Sequence, residues 1–276
     1  MAPMRWTELM IFPVCGTILC LFLLKGKKAR LFFAFSALLI AAFLWFSGEP
    51  ARKGKSPLRT NEKGNVTIVK MEGIVQIDVP AISQFPELER GCEVTSLAML
   101  LNHAGIRVNK MELAAKVKKN PEKMKISGGT VYFGDPNDGF VGDIYSKKNP
   151  GLGVYHGPIA ELARQYLPKE AVLDLTGSDF ERIKMHLSHG FPVWVIVSIN
   201  FRPLDESDFE TWMTPNGKIK ITYKEHSVLV TGYSDDTVFF NDPYDGQKKE
   251  APANEFIAAW KQLGSQAITY QTPKEE

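Results

Sequence analysis

The sequence predicts an α+β domain, and three observations predict it. Helical patterns come first along the chain, and strand patterns follow in mostly antiparallel order. Val193-Trp194-Val195-Ile196-Val197-Ser198-Ile199 is a continuous apolar, β-branched run, which marks a central strand covered on both faces. Gly91 to Leu101 reads as a helix, because Val94, Leu97, Ala98 and Leu101 recur at helical spacing and a cysteine stands in the first turn.

The chain has 276 residues, a net charge of +2 and 44% hydrophobic residues, enough for one globular domain of ordinary size with an appendage. A charge so near neutral gives no argument for nucleic acid as a partner. The cysteines are Cys15, Cys20 and Cys92. Two lie in the apolar N-terminus, so the domain holds one and cannot form an internal disulfide. A single cysteine in such a domain is a nucleophile candidate if a histidine serves it.

Taking the elements in order, Leu9 to Leu24 and Leu31 to Phe46 are apolar, separated by Lys25-Gly26-Lys27-Lys28-Ala29-Arg30. With their flanking residues both runs approach the roughly 20 residues of a spanning helix. Residues 1–47 therefore read as a two-helix membrane anchor in contact with the lipid bilayer. A cleaved signal peptide fits less well, because the basic cluster stands where a small-residue cleavage site belongs. A helical hairpin buried in protein would need a polar face, which neither run has. The basic loop predicts a cytoplasmic turn and an extracytoplasmic domain, although Arg52, Lys53, Lys55 and Arg59 weigh against that orientation. Residues 48–65 are rich in Gly, Pro and Lys and read as a basic linker. Residues 66–276 form the domain.

Val66 to Met71 and Ile74 to Val79 read as short strands, followed by a loop that carries Gln84 to the Cys92 helix. Gly91 permits a sharp entry into that helix. At the helix start Cys92 meets unpartnered N–H groups and the positive dipole end, which favours thiolate; a buried structural cysteine is the competing reading. Asn109, with Glu112 three positions on, caps a second helix. Ser127 to Asn149 is long, polar and glycine-rich; its acidic Gly134–Asp143 stretch lacks the closing glutamate of a calcium loop and reads as a substrate-groove wall. Pro158 starts a helix to about Leu167, and Ser178 with Glu181 caps another ending at Gly190. Ile219 to Tyr223, Ser227 to Tyr233 and Thr237 to Asn241 read as a meander turning at Asp235-Asp236. Ala253 to Leu263 is a helix closed by Gly264, and Gln266 to Thr272 is the last strand.

Five histidines compete to serve Cys92. His103 shares its helix eleven residues on, which is roughly 16 Å away and too far. His186 and His189 sit in a helix's last turn, where a cation meets the dipole. They lack the further ligands of a metal site. His156 is a reserve candidate. His226 stands at the mouth of the Ser227–Tyr233 strand, roughly 130 residues after Cys92, as in papain-type enzymes. Asp242 follows sixteen residues later, where the antiparallel return brings it near His226 and where a carboxylate would fix the imidazole tautomer. Gln84, eight positions ahead of Cys92, offers an N–H to an oxyanion, or is a solvent-facing loop residue.

The segments Gln84…Gly91-Cys92-Glu93-Val94-Thr95-Ser96, His226-Ser227-Val228-Leu229-Val230-Thr231-Gly232-Tyr233 and Asn241-Asp242-Pro243 resemble the bacteriocin-processing (double-glycine leader) peptidase-like family of papain-type cysteine peptidases, in its stand-alone bacterial branch. The resemblance spans about residues 74–268. It implies a papain-like fold with Cys92 as nucleophile, His226 as general base then acid, Asp242 as orienter and Gln84 as oxyanion donor. No ATP-binding cassette is read after this segment, unlike in the transporter-fused members, so a role in peptide export is not expected and double-glycine specificity is not carried over.

The expected function is thiol-dependent hydrolysis of a peptide or isopeptide bond in a peptide or protein substrate, outside the membrane and with no cofactor or metal. Two other readings stay open: a transamidase or amidase on cell-wall peptides, and a catalytically inert peptide-binding surface domain.

Overall fold

The computed structural model describes residues 58–60, 66–68 and 73–271. The anchor expected over residues 1–47 lies outside the described residues. Among the described residues no helix is long and apolar enough to cross a membrane. Strands β1 (Leu58–Thr60) and β2 (Val66–Ile68) form a short antiparallel pair, so part of the expected linker is strand.

Among the described residues the α-helices are α1 (Cys92–His103), α2 (Lys110–Lys116), α3 (His156–Ala163), α4 (Phe180–Ser188) and α5 (Ala253–Gln262). The seven-stranded main sheet runs β12 (Gln247–Pro252), β11 (Thr237–Asp242), β10 (Glu225–Tyr233), β7 (Val193–Ser198), β13 (Ala267–Tyr270), β6 (Val172–Asp174), with β3 (Val75–Gln76) also on β10. Its pairings are all antiparallel.

Every residue of β7 is buried, because helices cover both faces of the strand. Trp194 and Ile196 pack with Leu229 of β10 against α1, α2 and α3. Val193, Val195 and Val197 pack with Val228 and Val230 against α4 and α5. The two-residue alternation of the pleat thus divides one strand between two cores.

Two helix starts differ from expectation. The N-cap position of α4 falls to Asp179, whose side chain makes no capping bond, and the Ser178 hydroxyl is spent on Leu175 O at 2.6 Å. α3 begins at His156, which leaves Pro158 inside the first turn, where a missing N–H costs nothing. Asn109 caps α2 as expected, accepting the Glu112 N–H at 2.9 Å.

The expected loop over 127–149 contributes instead to a second sheet of β4 (Lys125–Ser127), β5 (Thr130–Tyr132), β8 (Glu210–Thr214) and β9 (Gly217–Ile221). Trp212, Phe133 and Ile221 form its small core. β9 therefore does not continue into a meander with β10. It folds back on β8 through a turn at Pro215-Asn216, where Gly217 at φ +111° takes the left-handed backbone.

Candidate active site

Cys92 opens α1 with no side-chain cap, its N-cap Gly91 in ordinary backbone at φ −117°. The glycine is required by crowding rather than by a turn, since an added Cβ would lie 2.5 Å from Leu88 Cβ. Trp194 Nε1 donates to Glu93 O at 3.0 Å and Ser96 Oγ donates to Ser227 O at 3.2 Å, which fix the helix start against β7 and β10. The Ser227 backbone N–H reaches the Cys92 sulfur, one residue from His226.

His226 and Asp242 are brought together. His226 Nε2 lies 2.7 Å from Asp242 Oδ1, and both side chains are buried. The β10–β11 hairpin places them, with a register shift between Val230 and Gly232 that adjusts the reach. Burial works against the Asp242 carboxylate, but hydrogen bonds from His226, Lys249 and the Tyr244 N–H outweigh it and hold the group at about 2. An ionised carboxylate only accepts, so Nε2 carries the proton that faces Asp242, and in the neutral ring Nδ1 is the basic nitrogen. Tyr244 stands edge-on to the His226 ring at 6.5 Å, and Phe201 lies 6.2 Å away.

Gln84 is buried rather than solvent-facing. Its Nε2 donates to Leu88 O at 3.2 Å, and its backbone N–H donates to Pro243 O at 2.7 Å, beside Asp242. Lys110 Nζ staples this loop through Ser83 O at 2.6 Å, Gln84 O at 2.9 Å and Phe85 O at 3.2 Å, and pairs with Glu87 at 2.6 Å.

No hydrogen bond joins Cys92 to His226. The thiol donates instead to Glu93 Oε2 at 3.3 Å. Glu93 is buried, accepts the Val154 N–H on Oε1 at 2.8 Å, and shares a side-chain hydrogen bond with Glu225 of β10. This corrects the thiolate expectation. Burial raises the Cys92 thiol well above its ordinary value, and Glu93 and Glu225 push it further, against the Ser227 N–H. A helix terminus is worth at most about 2 kcal/mol to a charge. Here burial and the two carboxyls together outweigh it. Glu93 and Glu225 were not predicted to matter. Their sequence signal was a glutamate beside each proposed catalytic residue, Cys92 and His226.

Three of the remaining histidines have ring partners, whereas the buried Nε2 of His186 has none. His103 Nδ1 meets Tyr270 OH at 2.7 Å, and His156 Nδ1 meets Asp174 Oδ2 at 2.6 Å. His189 Nδ1 meets Met185 O at 2.7 Å. His186 is not the dipole-facing cation expected from its place in the last turn: burial, then Arg182 and His189, lower it to about 4 and keep it neutral. In the acidic loop, Asp135 accepts from Asn137, Asp138 from Asn216 and Asp143 from the Tyr145 N–H. Among the described residues no cluster of three His, Cys, Asp or Glu could hold a metal ion.

The chain is similar to known proteins. The Peptidase_C39 like family matches residues 76–268. The uncharacterized protein YvpB of Bacillus subtilis (strain 168) is 51% identical over 186 residues, covering 67% of this chain and 71% of that protein. A crystal structure of a C39-like peptidase from Bacillus anthracis superposes with a TM-score of 0.68 at 45% identity, covering 74% of this chain and all of that one.

Proposed function

The chain belongs to the Peptidase_C39 like family, and from that premise we propose that it is a papain-type cysteine peptidase acting through Cys92, His226, Asp242 and Gln84. The observation that carries the reading is the buried His226–Asp242 pair at 2.7 Å, with Asp242 anionic and Nδ1 left as a base.

In this mechanism the Cys92 thiol turns from Glu93 toward His226, which takes its proton on Nδ1. The thiolate attacks a peptide carbonyl. The oxyanion accepts hydrogen bonds from the Cys92 N–H, which has no intrahelical partner, and from the second Gln84 Nε2–H. The imidazolium then protonates the leaving amine, and water releases the acyl group from sulfur. Glu93 is not the base. Ordinary carboxyl and thiol values lie about 4 units apart, so that transfer would be uphill by about 5–6 kcal/mol.

The experiment is peptide hydrolysis and labelling by a thiol-reactive peptide probe, with Cys92→Ala as comparison. Both signals are expected to vanish in the variant, and undiminished labelling would reject the reading. The Cys92–Glu93 hydrogen bond favours one second reading, an inert peptide-binding domain. It would be upheld if the wild type binds peptides without cleaving them and His226→Ala binds equally well. The apolar runs 9–24 and 31–46 support attachment of the peptidase to the outer face of a cell membrane. An impermeant thiol probe on intact cells tests that placement.

A further inference from the structure

Glu93 and Glu225 form a carboxyl pair for which the hydrolytic steps above have no use. The two converge on Gly153, where an added Cβ would collide with Oε1 of both. Glu93 is well supplied with donors, namely the Val154 N–H and the Cys92 S–H. Glu225 Oε2 is buried with no partner. Two hydrogen-bonded carboxyls away from water cannot both ionise, and the ionised form belongs where the donors are.

We propose that Glu93 is a positioning residue for the nucleophile: ionised, and clamped by a protonated Glu225, it holds the Cys92 S–H in a protonated resting state. The inference rests on Cys92 being the nucleophile. Few other charges reach the pair. Lys119, after α2, faces Glu93 and Asp143, and burial lowers its ammonium to about 8. Tyr155, before α3, faces Glu225, Asp135 and Glu93, and burial keeps its phenol neutral. From α1 the facing group is Cys92, and from β10 it is Glu225 itself. The arrangement makes the free enzyme slow to react with indiscriminate electrophiles. The thiol is released once the Glu93 hydrogen bond is broken.

The test is iodoacetamide alkylation of the full chain across a pH series, read at the Cys92 peptide by mass spectrometry so that Cys15 and Cys20 do not interfere. Glu93→Gln should move the Cys92 midpoint down by about one pH unit or more and speed alkylation at pH 7 by about tenfold. Glu225→Gln, which keeps a neutral donor, should leave the midpoint near wild type. An unmoved or raised midpoint in E93Q overturns the proposal, as does a fall in E225Q equal to that in E93Q. If E93Q shows no cooperative thermal transition, infrared spectra decide. A protonated-carboxyl C=O band at neutral pH that E225Q removes supports the proposal, and its absence from wild type overturns it. Alkylation needs no turnover, so these results stand apart from the Cys92→Ala hydrolysis test.

Discussion

Lys249 of β12 reaches Asp242 of β11, ammonium to carboxylate, at 2.7 Å. The same ammonium holds Asp245 at 2.7 Å, while the other oxygen of Asp242 holds His226. The proposed orienter is therefore pinned from two sides, and its charge is compensated from the strand at the sheet's rim. Asp242→Asn keeps the shape and removes the charge. It should lower kcat/KM by about 10²–10⁴-fold, because the imidazole tautomer is no longer fixed. Steady-state hydrolysis checks this, and circular dichroism should show an intact fold.

Lys110 supplies donors to three consecutive carbonyls of the Gln84 loop. Lys110→Met keeps the apolar stem and leaves those carbonyls unpaired. The expected loss is about 1–3 kcal/mol in urea denaturation, with a fall in kcat as Gln84 loses its position. Unchanged kcat in a destabilised variant would separate the loop from the oxyanion role.

Gly153→Ala should force the Glu93–Glu225 pair apart, since the new methyl collides with both carboxyls. Overpacking of this kind costs about 1–3 kcal/mol, measurable as a lower urea midpoint.

His186 is held neutral in the fold, at about 4, but titrates near 6.5 when unfolded. Its value is depressed on folding, so the stability it contributes is complete above about pH 6.5. That stability is lost as pH falls through about 4. His186→Leu should flatten the fall in Tm between pH 6.5 and 4.5, a difference of roughly 2 kcal/mol. Calorimetry at the two pH values checks it.

Much of this was legible in the residues themselves. The central strand announced itself by the unbroken apolar run from Val193 to Val197, and the Asn109–Glu112 pair marked a helix start. Counting back around the hairpin turn brought Asp242 to the neighbourhood of His226 and left the imidazole a little beyond the pair, and the register, with Leu229 opposite Asn241, has that offset. What escaped was decided by partners distant in sequence. Gln247 to Glu250 is charged and mostly exposed, yet it forms β12 because the edge of β11 needs a neighbour. Ile219 to Tyr223 carried a strand pattern that could not say whether β8 or β10 would take it. Glu93, in the first turn of a helix, is ordinarily a dipole-facing surface residue. Its burial depends on Val154 and Glu225, respectively 61 and 132 positions further along.

Glu225, His226 and Ser227 are three consecutive residues of β10, and each holds a different group: a carboxyl, the imidazole and the N–H that meets the sulfur. Because successive side chains in a strand point to opposite faces, sliding β10 by a single position against β7 would turn every one of them the wrong way. A chain with that error would retain a sheet and helices but no working chemistry. The proposed hydrolytic competence should consequently appear late in folding, once β10 has zipped into place against β7.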